Sequence, residues 1–170
     1  MVTMRMRRWL RHLTVTRAHL DRAFDARALA AIESAVAECE QRHSGQIRVA
    51  IEAGLDPAAV WRGHSPRDRA LGLFASLGVW DTEANNGVLI YVLLADRVVE
   101  IVADRGYNGR VEGEEWLAVC RSMEARFREG RFEDGMQDGI RRVGEIMAGH
   151  FPSEPGSERR NELPDRPVLL

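Results

Sequence analysis

Residues 85–107 read NNGVLIYVLLADRVVEIVADRGY, and the fold is decided here. Gly87 to Ala95 is a nearly continuous apolar run, the pattern of a central strand covered on both faces. Asp96-Arg97 is a tight turn, and Val98 to Ala103 reads as a second strand antiparallel to the first. Upstream, Ile47, Val49 and Ile51 alternate with Gln46, Arg48, Ala50 and Glu52, so Gln46 to Ala53 is a strand with one buried and one partly polar face. Ser65-Pro66-Arg67-Asp68 starts a helix between these strands: Ser65 caps, Pro66 takes the first helical position and Asp68 supplies the reciprocal acid. Ala70, Leu71, Phe74 and Leu77 form its inner face, and Gly78 ends it. The strand–helix–strand order from 46 to 95 implies a parallel pair with a right-handed crossover.

Further out, helices are expected over 25–43, 112–128 and 132–148, with a short helical turn at Pro57–Trp61. Asp25 is the N-cap of the first, and Phe24 is placed to staple to Leu29. Gly135 and Gly139 lie one turn apart in the last helix, where they weaken helix propensity and imply a close neighbour. The organisation is a basic arm at 1–22, one α/β domain at 23–150 and a Pro-rich tail at 151–170. The tail's final Pro167-Val168-Leu169-Leu170 is apolar again and is a docking segment for the domain or a partner.

The chain has 170 residues, 45% apolar and 29% charged, enough for one real core. Its formal charge of −2 argues against nucleic acid as a partner. Every basic residue counted as Lys or Arg is Arg. Cys39 and Cys120 fall on apolar helix faces and are expected to be buried thiols. No apolar run is long enough to span a membrane and no secretory signal is legible, so the expected location is the cytoplasm. The arm carries Arg5, Arg7, Arg8, Arg11, Arg17 and Arg22, interleaved with Trp9, Leu10 and Leu13. It is read either as packing on its own domain or as meeting an anionic membrane at its inner face.

Two polar clusters are candidates for chemistry. Asp81, Glu83, Asn85 and Asn86 offer the carboxylate and amide oxygens that a hard cation such as Ca²⁺ prefers. Asp104-Arg105-Gly106-Tyr107-Asn108-Gly109-Arg110 follows the second hairpin strand, with Arg105, Tyr107 and Arg110 as candidate ligand-binding side chains. Both clusters also read as ordinary turns. The hairpin folds Asp104 back toward Asp81, Asn85 and Asn86, so the oxygens are expected at one sheet edge. The five histidines lack metal-ligand spacing, and neither a nucleophile elbow nor a phosphate-binding loop is present.

Ala70…Phe74…Leu77-Gly78, Asn86-Gly87-Val88-Leu89-Ile90, VVEIVADRGY at 98–107 and Phe127-Arg128-Glu129-Gly130-Arg131-Phe132…Gly135…Gly139 together resemble the TPM-domain family over roughly residues 25–150. The resemblance implies a single-domain, three-layer α/β/α sandwich with a mixed central sheet. It also implies Ca²⁺ in loops at one end of the sheet, and a link to the cell envelope through LemA-type membrane proteins or other TPM proteins. Weak acid-phosphatase activity is attributed to some members. Most members carry an acidic pair before the first helix and a G-x-G loop after the hairpin; here the corresponding segments hold Asp21 and Asp25, and Ala103 to Tyr107.

Three readings follow. The first is a binding or assembly domain responsive to Ca²⁺. The second is a weak metal-dependent phosphatase, with Asp81 and Asp104 on the metal and Arg105 on the phosphate. The third is a peripheral membrane adaptor using the basic arm. A binding role is favoured over an enzymatic one because no nucleophile–base pair is legible.

Overall fold

The computed structural model describes residues 2–153 and 161–170, with side chains from Met6 onward. Arg5's side chain and the tail residues Pro155 and Gly156 lie outside what is described. In chain order the elements are helices α1 (Val2–Thr14), α2 (Arg17–Ala23) and α3 (Ala26–Cys39), strand β1 (Gln46–Glu52) and helices α4 (Pro57–Trp61) and α5 (Pro66–Ser76). Strands β2 (Gly87–Leu93) and β3 (Val98–Ala103), helices α6 (Gly113–Arg128) and α7 (Phe132–His150), and the two-residue strand β4 (Val168–Leu169) follow.

The local chemistry expected at the helix starts is present. Asp25 Oδ1 accepts the Ala28 N–H at 2.8 Å. Ser65 Oγ accepts the Asp68 N–H at 3.1 Å while Asp68 Oδ2 accepts the Ser65 N–H at 2.9 Å. The Ser65 N–H and then the Ser65 hydroxyl, both donating to Asp68 Oδ2, hold the Asp68 carboxyl below its usual value. Gly78 ends the α5 segment with φ +68°, a conformation glycine adopts without steric cost.

The sheet runs β3-β2-β1-β4. β1 and β2 pair in parallel from Gln46↔Gly87 to Glu52↔Leu93, and β2 and β3 pair antiparallel from Val88↔Ala103 to Leu93↔Val98. Alternation along each strand sends Ile47, Val49, Ile51, Val88, Ile90 and Val92 into one core, with α3, α6 and α7 over it. Leu89, Tyr91, Leu93 and Val102 enter a second core with α4 and α5 over it. The result is a three-layer α/β/α sandwich. Burying one large side chain of these cores contributes about 1.5–3 kcal/mol.

β1 departs from the expected half-polar strand, because all seven of its residues are buried. The end of the chain lies over its polar face. Gln46 Oε1 accepts the Glu162 and Leu163 N–H groups at 2.8 and 3.0 Å. Arg48 donates to the Pro164 and Arg166 carbonyls at 2.5 and 2.6 Å. β4 then pairs in parallel with β1 at Ala50↔Val168 and Ile51↔Leu169. Glu52, also buried, accepts from Arg69 Nε and Nη2 at 2.9 Å each and from the Tyr91 hydroxyl at 2.6 Å.

The outer sides of β1 and β3 are partly covered. β4 covers β1, and on β3 the Val99 N–H donates to Glu124 Oε1 at 3.1 Å while Arg67 donates to the Ile101 carbonyl at 2.6 Å. Blocking an edge with side chains removes a template for pairing with another chain.

The basic segment packs on the domain. Asp96, in the β2–β3 turn, accepts from Arg8 Nε at 2.9 Å, and His12 Nε2 lies 3.1 Å from its Oδ1. His12 Nδ1 accepts the Leu55 N–H at 2.9 Å. Trp9 packs against the second core, and Leu20 and Phe24 are buried in the first.

Candidate functional site

The two polar clusters meet at the end of the sheet where β2 begins and β3 ends. The chain leaves α5, turns through Asp81-Thr82-Glu83-Ala84 and enters β2. Asn85 sits at φ +52°, a left-handed conformation Asn tolerates better than most residues. Thr82 Oγ1 accepts the Asn86 N–H at 3.0 Å, which fixes the entry. The antiparallel ladder continues past β3: the Asp104 N–H donates to the Gly87 carbonyl and the Gly106 N–H to the Asn85 carbonyl, both at 2.9 Å. These backbones run so close that a Cβ on Gly87 would overlap the Val79 carbonyl, and one on Gly106 the Asn85 carbonyl.

Adjacency in the plane of the sheet does not make all the oxygens converge. Asn86 shares a face with Val88, toward α3 and α7, and its Nδ2 lies 3.5 Å from Ser44 Oγ. Asp104 shares a face with Val102, whose core includes Val79 from the segment laid over Gly87. The pleat therefore points the two side chains to opposite faces. Asp81 and Glu83 are exposed, and the Glu83 N–H donates to Glu162 Oε2 at 3.0 Å. Among the described residues no group of three or more His, Cys, Asp or Glu side chains gathers to hold a metal.

The candidate ligand-binding side chains have protein partners. Arg105 Nε donates to Asn85 Oδ1 at 2.8 Å. The Tyr107 hydroxyl is buried and donates to the Asn86 carbonyl at 3.1 Å; burial, then the Asp104 charge, pushes its pKa up. Tyr107 packs edge-on against Trp116 and Phe151, and the Arg110 guanidinium lies 5.3 Å from the Phe151 ring centre. Tyr107 and Arg110 thus brace the loop.

Two atoms stand apart. Asn86 Oδ1 and Asp104 Oδ2 are buried and accept no hydrogen bond from any described residue, while Asp104 Oδ1 accepts the Arg105 N–H at 2.7 Å. A buried acceptor without a donor costs about 1–3 kcal/mol, so water or a cation at either oxygen is stabilising. Sequence reasoning named both residues but missed Ser44 and Thr82, which position Asn86. The spacing Thr82-x-x-x-Asn86 is too ordinary in a turn to signal that bond.

The sequence matches the family described as TPM domain over residues 20–146. Among solved structures, the chain is similar to the BA42 protein of the psychrophilic bacterium Bizionia argentinensis, with 31% identity and a TM-score of 0.74, covering 86% of this chain and 94% of that one. It is also similar in fold to the N-terminal domain of a P. gingivalis protein, with 20% identity and a TM-score of 0.53, covering 69% of this chain and 72% of that one. No curated protein matches.

Proposed function

Because this chain belongs to the TPM-domain family, we propose that it is a binding or assembly domain whose loop after β3 takes a cation of the Ca²⁺ class at Asp104. The observation that carries this reading is the buried Asp104 Oδ2 without a donor. Ca²⁺ takes six to eight oxygens, from carboxylates bound through one or both oxygens, from carbonyls and from water. Asp104 would supply one, and neighbouring loop carbonyls and water the remainder. Asn86 Oδ1 fits a water on the other face of the sheet.

Thermal unfolding of the full chain with and without Ca²⁺ tests the proposal. At a hundredfold excess over Kd, binding adds about 2.7 kcal/mol, which for a chain of this size raises Tm by about 5–10 °C. Asp104→Asn abolishes the shift and Asp81→Ala leaves most of it. An unchanged Tm at millimolar Ca²⁺ refutes the cation site. A shift that survives Asp104→Asn moves it elsewhere in the molecule.

A further inference from the structure

α1 is docked by one side and leaves another uncovered. Arg8 and His12 face Asp96, and Trp9 packs inward. Met6, Leu10 and Leu13, spaced i, i+4 and i+7, form a single stripe that remains 43%, 48% and 46% exposed. Beside them on α4, Trp61 is 60% exposed, and Met6 and Trp61 flank one groove between the two helices. This is a contiguous apolar surface.

Its charge says what would cover it. Residues 1–22 carry six arginines against the single acid Asp21, a balance of +5; with the whole chain at −2, all the other residues together carry −7. Arg7 borders the stripe and Arg62 borders the groove, both exposed, while Arg11 reaches back to Asp96 at 3.5 Å. An apolar stripe rimmed by arginines, with a tryptophan at its edge, matches the boundary of a bilayer. There apolar groups enter the acyl region, guanidinium groups meet lipid phosphates and indole rings sit at the headgroup level. A nucleic acid would match the arginines but leave the stripe exposed to water, and a second copy of this chain would bring arginine against arginine.

We propose that α1 and the exposed side of α4 form a docking surface for an anionic membrane, with Met6, Leu10, Leu13 and Trp61 entering the interface and Arg7 and Arg62 contacting lipid phosphates. The contacts of Arg8, Arg11 and His12 with Asp96 hold α1 flat on the domain, so the helix lies in the plane of the membrane.

Co-sedimentation of the full chain with vesicles tests this. One set is phosphatidylcholine alone and the other contains phosphatidylglycerol, each at low and high salt. The chain pellets with the anionic vesicles at low salt, and stays in solution with the neutral ones or at high salt. Arg7→Gln weakens partitioning about fivefold, the equivalent of about 1 kcal/mol for one arginine near the surface. Leu10→Glu with Leu13→Glu abolishes it at unchanged Tm; both positions are exposed, and if the pair lowers Tm, Arg7→Gln decides alone. Equal pelleting with neutral and anionic vesicles overturns the proposal. So does a Leu10→Glu/Leu13→Glu chain that pellets like the parent, or a parent that stays in solution with every vesicle, including one that dimerises through this face or binds duplex DNA instead.

Discussion

His12 Nε2 lies 3.1 Å from Asp96 Oδ1 while His12 Nδ1 accepts the Leu55 N–H at 2.9 Å. A ring that accepts at Nδ1 and faces a carboxylate from Nε2 is neutral, with its proton on Nε2. Burial, opposed by Asp96, holds its pKa below the ordinary 6.5. Burial alone would raise the Asp96 pKa, but its bonds to Arg8 and His12 bring it below 3.8.

Both shifts make α1 docking weaker in acid. The unfolded chain binds a proton at His12 more readily than the folded one, so stability is full above pH 6.5 and declines as pH falls from there toward the lowered folded value. Asp96 stability is present above its unfolded value and is lost as pH falls through its folded one. Amide exchange in residues 6–14 should therefore quicken between pH 7.5 and 5.5 relative to the central strands. His12→Gln, which can donate and accept in the same places, should flatten that dependence. An α1 as protected at pH 5.5 as at 7.5 contradicts this account.

Glu52 offers a second test. Its carboxylate is buried and satisfied by Arg69 and Tyr91. Tyr91→Phe removes one bond to a charged acceptor and should cost about 2 kcal/mol. Arg69→Ala leaves a buried charge with one neutral donor and should cost more, about 3–5 kcal/mol. Urea midpoints at constant m-value rank the two, and equal losses would mean that Arg69, whose side chain is 39% exposed, is screened by water.

Helix packing supplies a third. A Cβ at Gly144 would overlap Cys39 Sγ, whereas one at Gly139 would overlap the flexible end of Met123. Gly144→Ala should destabilise by about 1–3 kcal/mol despite its gain in helix propensity. Gly139→Ala should cost less because Met123 has other rotamers. Combining Cys39→Ala with Gly144→Ala should recover part of the loss, which thermal melts of the three chains would reveal.

The C-terminal clamp gives the fourth. Arg48→Ala frees the Pro164 and Arg166 carbonyls, and deleting residues 167–170 removes β4. Either change should speed amide exchange at Ala53, whose N–H donates to the Leu170 carbonyl at 3.3 Å. The deletion should also promote self-association through the uncovered β1 edge, seen by light scattering. Unaltered exchange at Ala53 would show that Arg48 does not hold β4 in place.

What the amino-acid sequence determined alone is local. The apolar run from Gly87, the alternation at Ile47, Val49 and Ile51, and the Ser65 and Asp25 caps are patterns of one to three turns or one strand. They encode their own geometry, so α3 to α7, β1 to β3 and the crossover were legible, while α1, α2 and β4, in what read as an arm and a tail, were not. The tertiary structure decided whatever depends on residues distant in sequence. Arg48 looked like the solvent side of a strand because its partners, Pro164 and Arg166, lie more than a hundred positions away. Asn86 and Asp104 were rightly expected near one another along the hairpin. Which face each side chain takes follows from the pairing register, because a one-residue step reverses the pleat. Among the described residues that step leaves one unpartnered oxygen on each side of the sheet, a distinction no linear spacing contains.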